Sequence, residues 1–182
     1  MRRDKNGAVV YHREQAQERG LHELCRTVKG VRRVVEIGSH MGESAAIFAT
    51  YFPEVYCVDT WGERELTAIH IDIPGLDIPN EEVEKSFDIR MGLSGGRICK
   101  VKKASPKAAA NFPDRYFDLV YIDGAHDYDS VLADIRAWRP KTNAYIGGHD
   151  YVDEGDVWRA VCDELGHPRW IFEDSSWLWR MA

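Results

Sequence analysis

The sequence predicts an α/β fold, a mostly parallel sheet of about seven strands with helices on both faces. Short β-branched runs alternate with stretches of helical periodicity along the chain. Residues 117–122 (Phe-Asp-Leu-Val-Tyr-Ile) are almost continuously apolar, as a strand buried on both faces must be. The chain has 182 residues, 44 % hydrophobic and 30 % charged, which suits one soluble domain with a full core. The reading is therefore a single domain over residues 1–182, opened by an N-terminal arm and helix over 1–30.

The elements follow in order. Residues 11–29 carry Leu21, Leu24, Cys25 and Val28 on one helical face, and Gly30 ends that helix. Residues 32–37 form the first strand. A helix over 42–51 is stopped by Pro53, and 55–58 is the second strand. Residues 62–96 begin as the longest irregular stretch, punctuated by Pro74, Gly75 and Pro79. Asn80 is expected to cap a helix running to about residue 90, with Glu81, Glu82 and Glu84 at its positive end. Residues 97–101 are the third strand. Ser105-Pro106 opens a short helix, with Ser105 as cap. After the fourth strand at 117–122 comes a helix that Asp127 and Tyr128 start and that runs to Trp138. A fifth strand follows at 144–147, then a helix over 153–165 that Gly166 ends. Residues 170–172 and 177–179 close the chain as a hairpin around Asp174-Ser175.

Charge and cysteine content exclude several classes. The formal charge is −6, so no basic face for a nucleic-acid backbone is expected. No apolar run approaches the roughly 20 residues of a membrane helix, and no hydrophobic signal segment follows the charged first residues. The four cysteines lie far apart without a CxxC pair, which fits a reduced, cytoplasmic protein.

In an open α/β sheet, ligands bind beyond the carboxyl ends of the strands. Five polar clusters fall there: Glu36-Ile37-Gly38-Ser39-His40-Met41-Gly42; Asp59-Thr60-Trp61; Ala104-Ser105; Asp123-Gly124-Ala125-His126; and Gly148-His149-Asp150. Gly38 and Gly42 bracket a strand-to-helix turn, where glycine lets the backbone approach a ligand and the helix end offers free N–H groups. Glu36, just before the turn, is placed to accept a bond from an amine or hydroxyl. Asp59 lies about 20 residues after Gly38, the spacing of an acid that binds ribose hydroxyls. Trp61 either packs on an adenine, walls off a substrate, or caps the structure.

These segments resemble class I S-adenosylmethionine-dependent methyltransferases. Glu36-x-Gly38 through Gly42 looks like their first motif. Val58-Asp59-Thr60-Trp61, Phe117 to His126, and Gly147-Gly148-His149-Asp150-Tyr151 resemble the methyltransferase-24-like group. The resemblance runs from about residue 30 to the end. It implies a Rossmann-like sheet of seven strands with an antiparallel C-terminal strand. It also implies S-adenosylmethionine at Glu36, Gly38 and Asp59, with Ala104 and Ser105 near the adenine; Ser39, Gly42, Thr60, Trp61 and Asp123 complete the expected cofactor-binding set. Two departures stand out: His40 occupies the stretch where many members carry a third glycine, and Ala125 replaces the second acid of the Asp-x-Asp found in related metal-dependent enzymes.

Methyl transfer to a hydroxyl needs in-line placement and removal of a proton. His126 and His149 are the expected bases, since imidazole titrates near neutral pH. Asp123, His149 and Asp150 are the expected ligands of Mg²⁺ or another divalent cation; the alternative is that the two acids only cap turns. The expected function is O-methylation of a small-molecule or sugar hydroxyl, with 62–96 as the acceptor-side insertion. A non-catalytic cofactor-binding module and an NAD-type oxidoreductase are the alternatives; the latter lacks the G-x-G-x-x-G spacing. His12, His22, His70 and His167 read as surface or core residues. Self-association through the N-terminal helix or exposed tryptophans stays open.

Overall fold

The computed structural model describes residues 3–9, 15–62 and 78–181. Its elements are α1 (Gln15–Thr27), β1 (Arg33–Ile37), α2 (Glu43–Tyr51), β2 (Glu54–Asp59), α3 (Asn80–Leu93), β3 (Ile98–Lys102) and α4 (Ser105–Ala109), followed by β4 (Phe117–Ile122), α5 (Tyr128–Trp138), β5 (Thr142–Gly148), α6 (Asp156–Leu165), β6 (Trp170–Ile171) and β7 (Trp177–Arg180). Seven strands form one sheet in the order β3-β2-β1-β4-β5-β7-β6. The first five are mutually parallel, and β7 runs antiparallel to both β5 and β6. This is the expected mixed sheet, with the expected closing hairpin at its edge.

Strand alternation splits the core into two layers. Val34, Cys57, Leu119 and Tyr121 face one side and pack under Leu21 and Leu24 of α1, Phe48 of α2 and Phe87 of α3. Val35, Ile37, Val120 and Ile122 face the other and pack under Ile135 and Trp138 of α5 and Ala160 and Val161 of α6. The chain goes outward from β1 through β2 to β3, then returns to β4 on the opposite flank of β1. That reversal opens a crevice beyond the carboxyl ends of β1 and β4, where such sheets bind ligands.

Several local expectations change. Pro79, not Asn80, is the N-cap of α3, and no side chain caps that helix. A proline at the cap removes no needed donor, while the acids of the first turn still meet the positive end. Ala104, not Ser105, caps α4. The last long helix begins at Asp156 rather than 153, because Glu154 takes a left-handed conformation (φ 62°) and Gly155 is the cap. Asp127 caps α5 as expected, accepting the Ser130 N–H at 3.0 Å. Residues 11–14 of the predicted first helix, residues 63–77 of the 62–96 insertion, and His12 and His70 lie outside the described residues.

Candidate active site

The loop joining β1 to α2 is built from alternating backbone hands. Gly38 (φ 87°), His40 (φ 45°) and Gly42 (φ 80°) are left-handed, and the residues between them, Ser39 and Met41, are not. Three of the loop's N–H groups are committed within the protein: Gly38 to the Val58 carbonyl at 2.9 Å, His40 to Asp59 at 2.8 Å and Gly42 to the Ser39 carbonyl at 2.7 Å, so at most those of Ser39 and Met41 are left at the head of α2 for a negatively charged group. Glycine serves a second purpose at 38, since a Cβ there would overlap the carbonyl of Asp123. The loops after β1 and β4 therefore touch backbone to backbone at the crevice.

His40 takes its conformation without glycine's freedom, and its neighbours hold it. Asp59, the last residue of β2, accepts the His40 N–H at 2.8 Å and the Trp61 N–H at 3.0 Å. The Trp61 indole donates to the His40 carbonyl at 2.7 Å. Trp61 is itself buried, stacked obliquely on Phe87 with the Lys100 ammonium over its ring. Of the three readings of Trp61, this packing is that of a structural cap. Each oxygen of Asp59 carries one N–H, and a carboxylate has about four acceptor sites, so capacity for ribose hydroxyls remains.

Glu36 is fully buried, with the Cys57 thiol 3.7 Å from its carboxylate. Glu36 pairs in register with Cys57, and Asp59 lies two residues further along, so strand alternation sends Glu36 and Asp59 to the same side. Glu36 thus lies beneath the loop while Asp59 lies at its edge. Ser39 and Gly42 are buried in the loop, and Thr60 is half-buried beside Asp59.

On the β3 side, Ala104 and Ser105 stand at the rim as expected, but the Ser105 hydroxyl is committed. It donates to Asp134 of α5 and accepts from the Trp138 indole at 2.8 Å. Asp134 is 5 % exposed, and burial pushes its carboxyl up to about 6. Sequence reasoning missed it. Its signal was an acid within the buried helical stripe of Val131, Ile135 and Trp138.

The ends of β4 and β5 bring four polar side chains together. His126 Nε2 lies 3.1 Å from Asp150 and 3.7 Å from Asp123. His149 Nδ1 lies 3.1 Å from Asp150 and 3.9 Å from Asp123. Asp150 is left-handed (φ 58°), which turns it back toward the strand ends. The Asp123 and Asp150 carboxylates hold the His126 imidazole above its ordinary value despite burial. For His149, burial works downward, but the same two acids outweigh it and the shift is again upward.

Asp123, His126 and Asp150 each offer a ligand atom within 4.8 Å of the others, so this trio has the donors to hold a divalent cation. His126, expected only as a base, joins the cluster where His149 was expected. The His126 side chain is 44 % exposed and that of His149 only 13 %. His149 Nε2 is buried with no hydrogen-bond partner among the described residues. The remaining histidines serve elsewhere: His22 bonds Tyr51 at 2.9 Å, and His167 approaches Tyr151 at 3.4 Å.

The protein family described as "Methyltransferase domain" matches residues 35–151. A curated relative, the uncharacterized protein y4gI of Sinorhizobium fredii, is 29 % identical over 116 residues, or 60 % of this chain. The chain spans 12 % of that protein's length. Among solved structures, cofactor-bound Rv0187 from MTB aligns with a TM-score of 0.62 at 17 % identity, covering 95 % of this chain and 83 % of that one. A putative caffeoyl-CoA O-methyltransferase from Staphylococcus aureus aligns with a TM-score of 0.53 at 14 % identity, covering 81 % and 64 %. Both share the fold. No helix among the described residues is long and apolar enough to cross a membrane.

Proposed function

The chain belongs to the class I S-adenosylmethionine-dependent methyltransferases, and on that premise we propose that it methylates an oxygen of a small-molecule or sugar acceptor at the Asp123–His126–Asp150–His149 cluster. The observation that carries this reading is the contact between Gly38 and the Asp123 carbonyl. It joins the 38–42 loop to the rim cluster that, among the described residues, brings three metal-ligating side chains together beside a second histidine.

S-adenosylmethionine supplies an electrophilic methyl carbon on sulfur. The 38–42 loop lies against the amino-acid end, and Asp59 accepts from the ribose. The acceptor oxygen forms its bond to the methyl carbon as the carbon–sulfur bond breaks, with that electron pair going to sulfur. The acceptor proton must leave as this happens. Asp123, His126 and Asp150 would hold a divalent ion, which would supply Lewis-acid polarisation of the acceptor oxygen. His149, oriented by Asp150, would then be the proton acceptor. Without an ion, the more exposed His126 takes that role, backed by two carboxylates.

Transfer of labelled methyl from S-adenosylmethionine to a panel of hydroxylated acceptors, with and without a chelator, tests the reading. Turnover that the chelator abolishes and a divalent cation restores supports the cation-held form. Turnover indifferent to chelator but lost in His126→Ala supports the metal-free form. Cofactor binding with no turnover on any acceptor points instead to a binding module.

A further inference from the structure

Asp59 and Trp61 hold the middle of the 38–42 loop, and the Val58 carbonyl holds its first residue, accepting the Gly38 N–H at 2.9 Å. The Arg90 side chain of α3, 10 % exposed, adds a further support. Its Nη1 donates to the Met41 carbonyl at 3.0 Å, and its Nη2 to the Val9 carbonyl at 2.7 Å and to Glu43 at 3.3 Å. One buried guanidinium thus joins the cofactor loop, the first residue of α2 and the N-terminal arm. The arm is itself seated on α3. The Val9 N–H donates to Ser86 at 3.0 Å, Arg3 pairs with Glu82 at 2.7 Å, and Ala8 and Val9 are buried.

We propose that Arg90 is a positioning residue for the cofactor, with residues 3–9 as its second anchor. The guanidinium holds the Met41 carbonyl toward α3. That fixes the alternating hand of the loop, and with it the backbone surface that the cofactor's amino-acid end meets. A planar fork with several donors can serve three acceptors in different directions; a lysine ammonium lacks that geometry. Val9 completes the seat, because without its carbonyl the guanidinium has one acceptor fewer to hold its plane. The inference rests on the cofactor alone and is independent of the acceptor and of any metal.

The test compares S-adenosylhomocysteine binding by calorimetry, and the split between KM for S-adenosylmethionine and kcat, in wild type, Arg90→Met and Arg90→Lys. Arg90→Met should weaken binding about tenfold and raise KM alike, with kcat at saturation within about twofold. Arg90→Lys should recover part of the loss. Ser86→Ala, which releases the arm without touching Arg90, should weaken binding in the same direction and by less; it carries the test if Arg90→Met fails to fold. An Arg90→Met protein with a lowered melting temperature but unchanged affinity overturns the proposal, as does Ser86→Ala with unchanged affinity. Wild-type protein that fails to bind S-adenosylhomocysteine overturns the cofactor assignment and the inference with it.

Discussion

Asp59 and Asp150 are both acids at strand ends, yet their surroundings assign them different work. Asp59 grips two backbone N–H groups in the cofactor loop and its neighbour, whereas Asp150 faces two imidazoles. Asp59→Ala should therefore weaken S-adenosylhomocysteine binding by about tenfold or more, and Asp150→Ala by about threefold or less while depressing turnover about a hundredfold. Equal losses of affinity would contradict the division. Asp134 makes a different prediction. Its carboxyl sits at about 6 because burial disfavours the charge, so the native state binds more protons than the unfolded chain between its two pKa values. The stability of the neutral form is fully present below about 4 and is lost as pH climbs through 6, on the order of 3 kcal/mol in all. Asp134→Asn keeps an acceptor for Ser105 and should remove this slope. Denaturation of both proteins at pH 4 and pH 7 checks it, and a stability difference that does not change with pH would rule it out. Asp59, Asp123 and Asp150 were legible because strand ends are legible. Asp134 was not, because an acid in an apolar helical stripe reads as a lapse in the pattern until a partner such as Ser105 is placed opposite it.

At the level of elements, the crossing of two loops sets the site. Gly38 admits the Asp123 carbonyl where any Cβ would overlap it, and its left-handed φ adds strain to any replacement. Gly38→Ala should push the loops after β1 and β4 apart and cost both cofactor affinity and turnover, each by about tenfold or more. Kinetics on a folded Gly38→Ala protein will show it, and near-wild-type values would mean the two loops are not coupled. The glycines and the strands were readable because periodicity and left-handed demand are local. The helix starts were less so. Asn80 and Ser105 are good caps by chemistry, yet the chain enters its helices one residue earlier, through Pro79 and Ala104. Side-chain caps compete with whatever partner the fold offers, and for Ser105 the offer is Asp134.

Across the whole molecule, the strand order β3-β2-β1-β4-β5-β7-β6 places the 38–42 loop beyond β1 and the two-histidine, two-aspartate cluster beyond the ends of the neighbouring β4 and β5. Alternation alone supports a parallel sheet, but it does not order strands; the seven-stranded sheet with its antiparallel last strand was expected only through the resemblance of several motifs at once, and the order comes from the structure. All four members of the polar cluster were legible as strand-end residues, but which histidine shares a donor set with the two acids was not. Asp123 and Asp150 follow from the ends of β4 and β5, whereas His126 enters by way of the turn into α5, whose course depends on the neighbouring strand. A crystal grown with S-adenosylhomocysteine and Mn²⁺ tests the central claim most directly. The nucleoside is predicted between the 38–42 loop and Asp59, and an anomalous peak among Asp123, His126 and Asp150 would select the cation-held form over the metal-free one. A nucleoside bound away from the 38–42 loop and Asp59 would contradict the central claim.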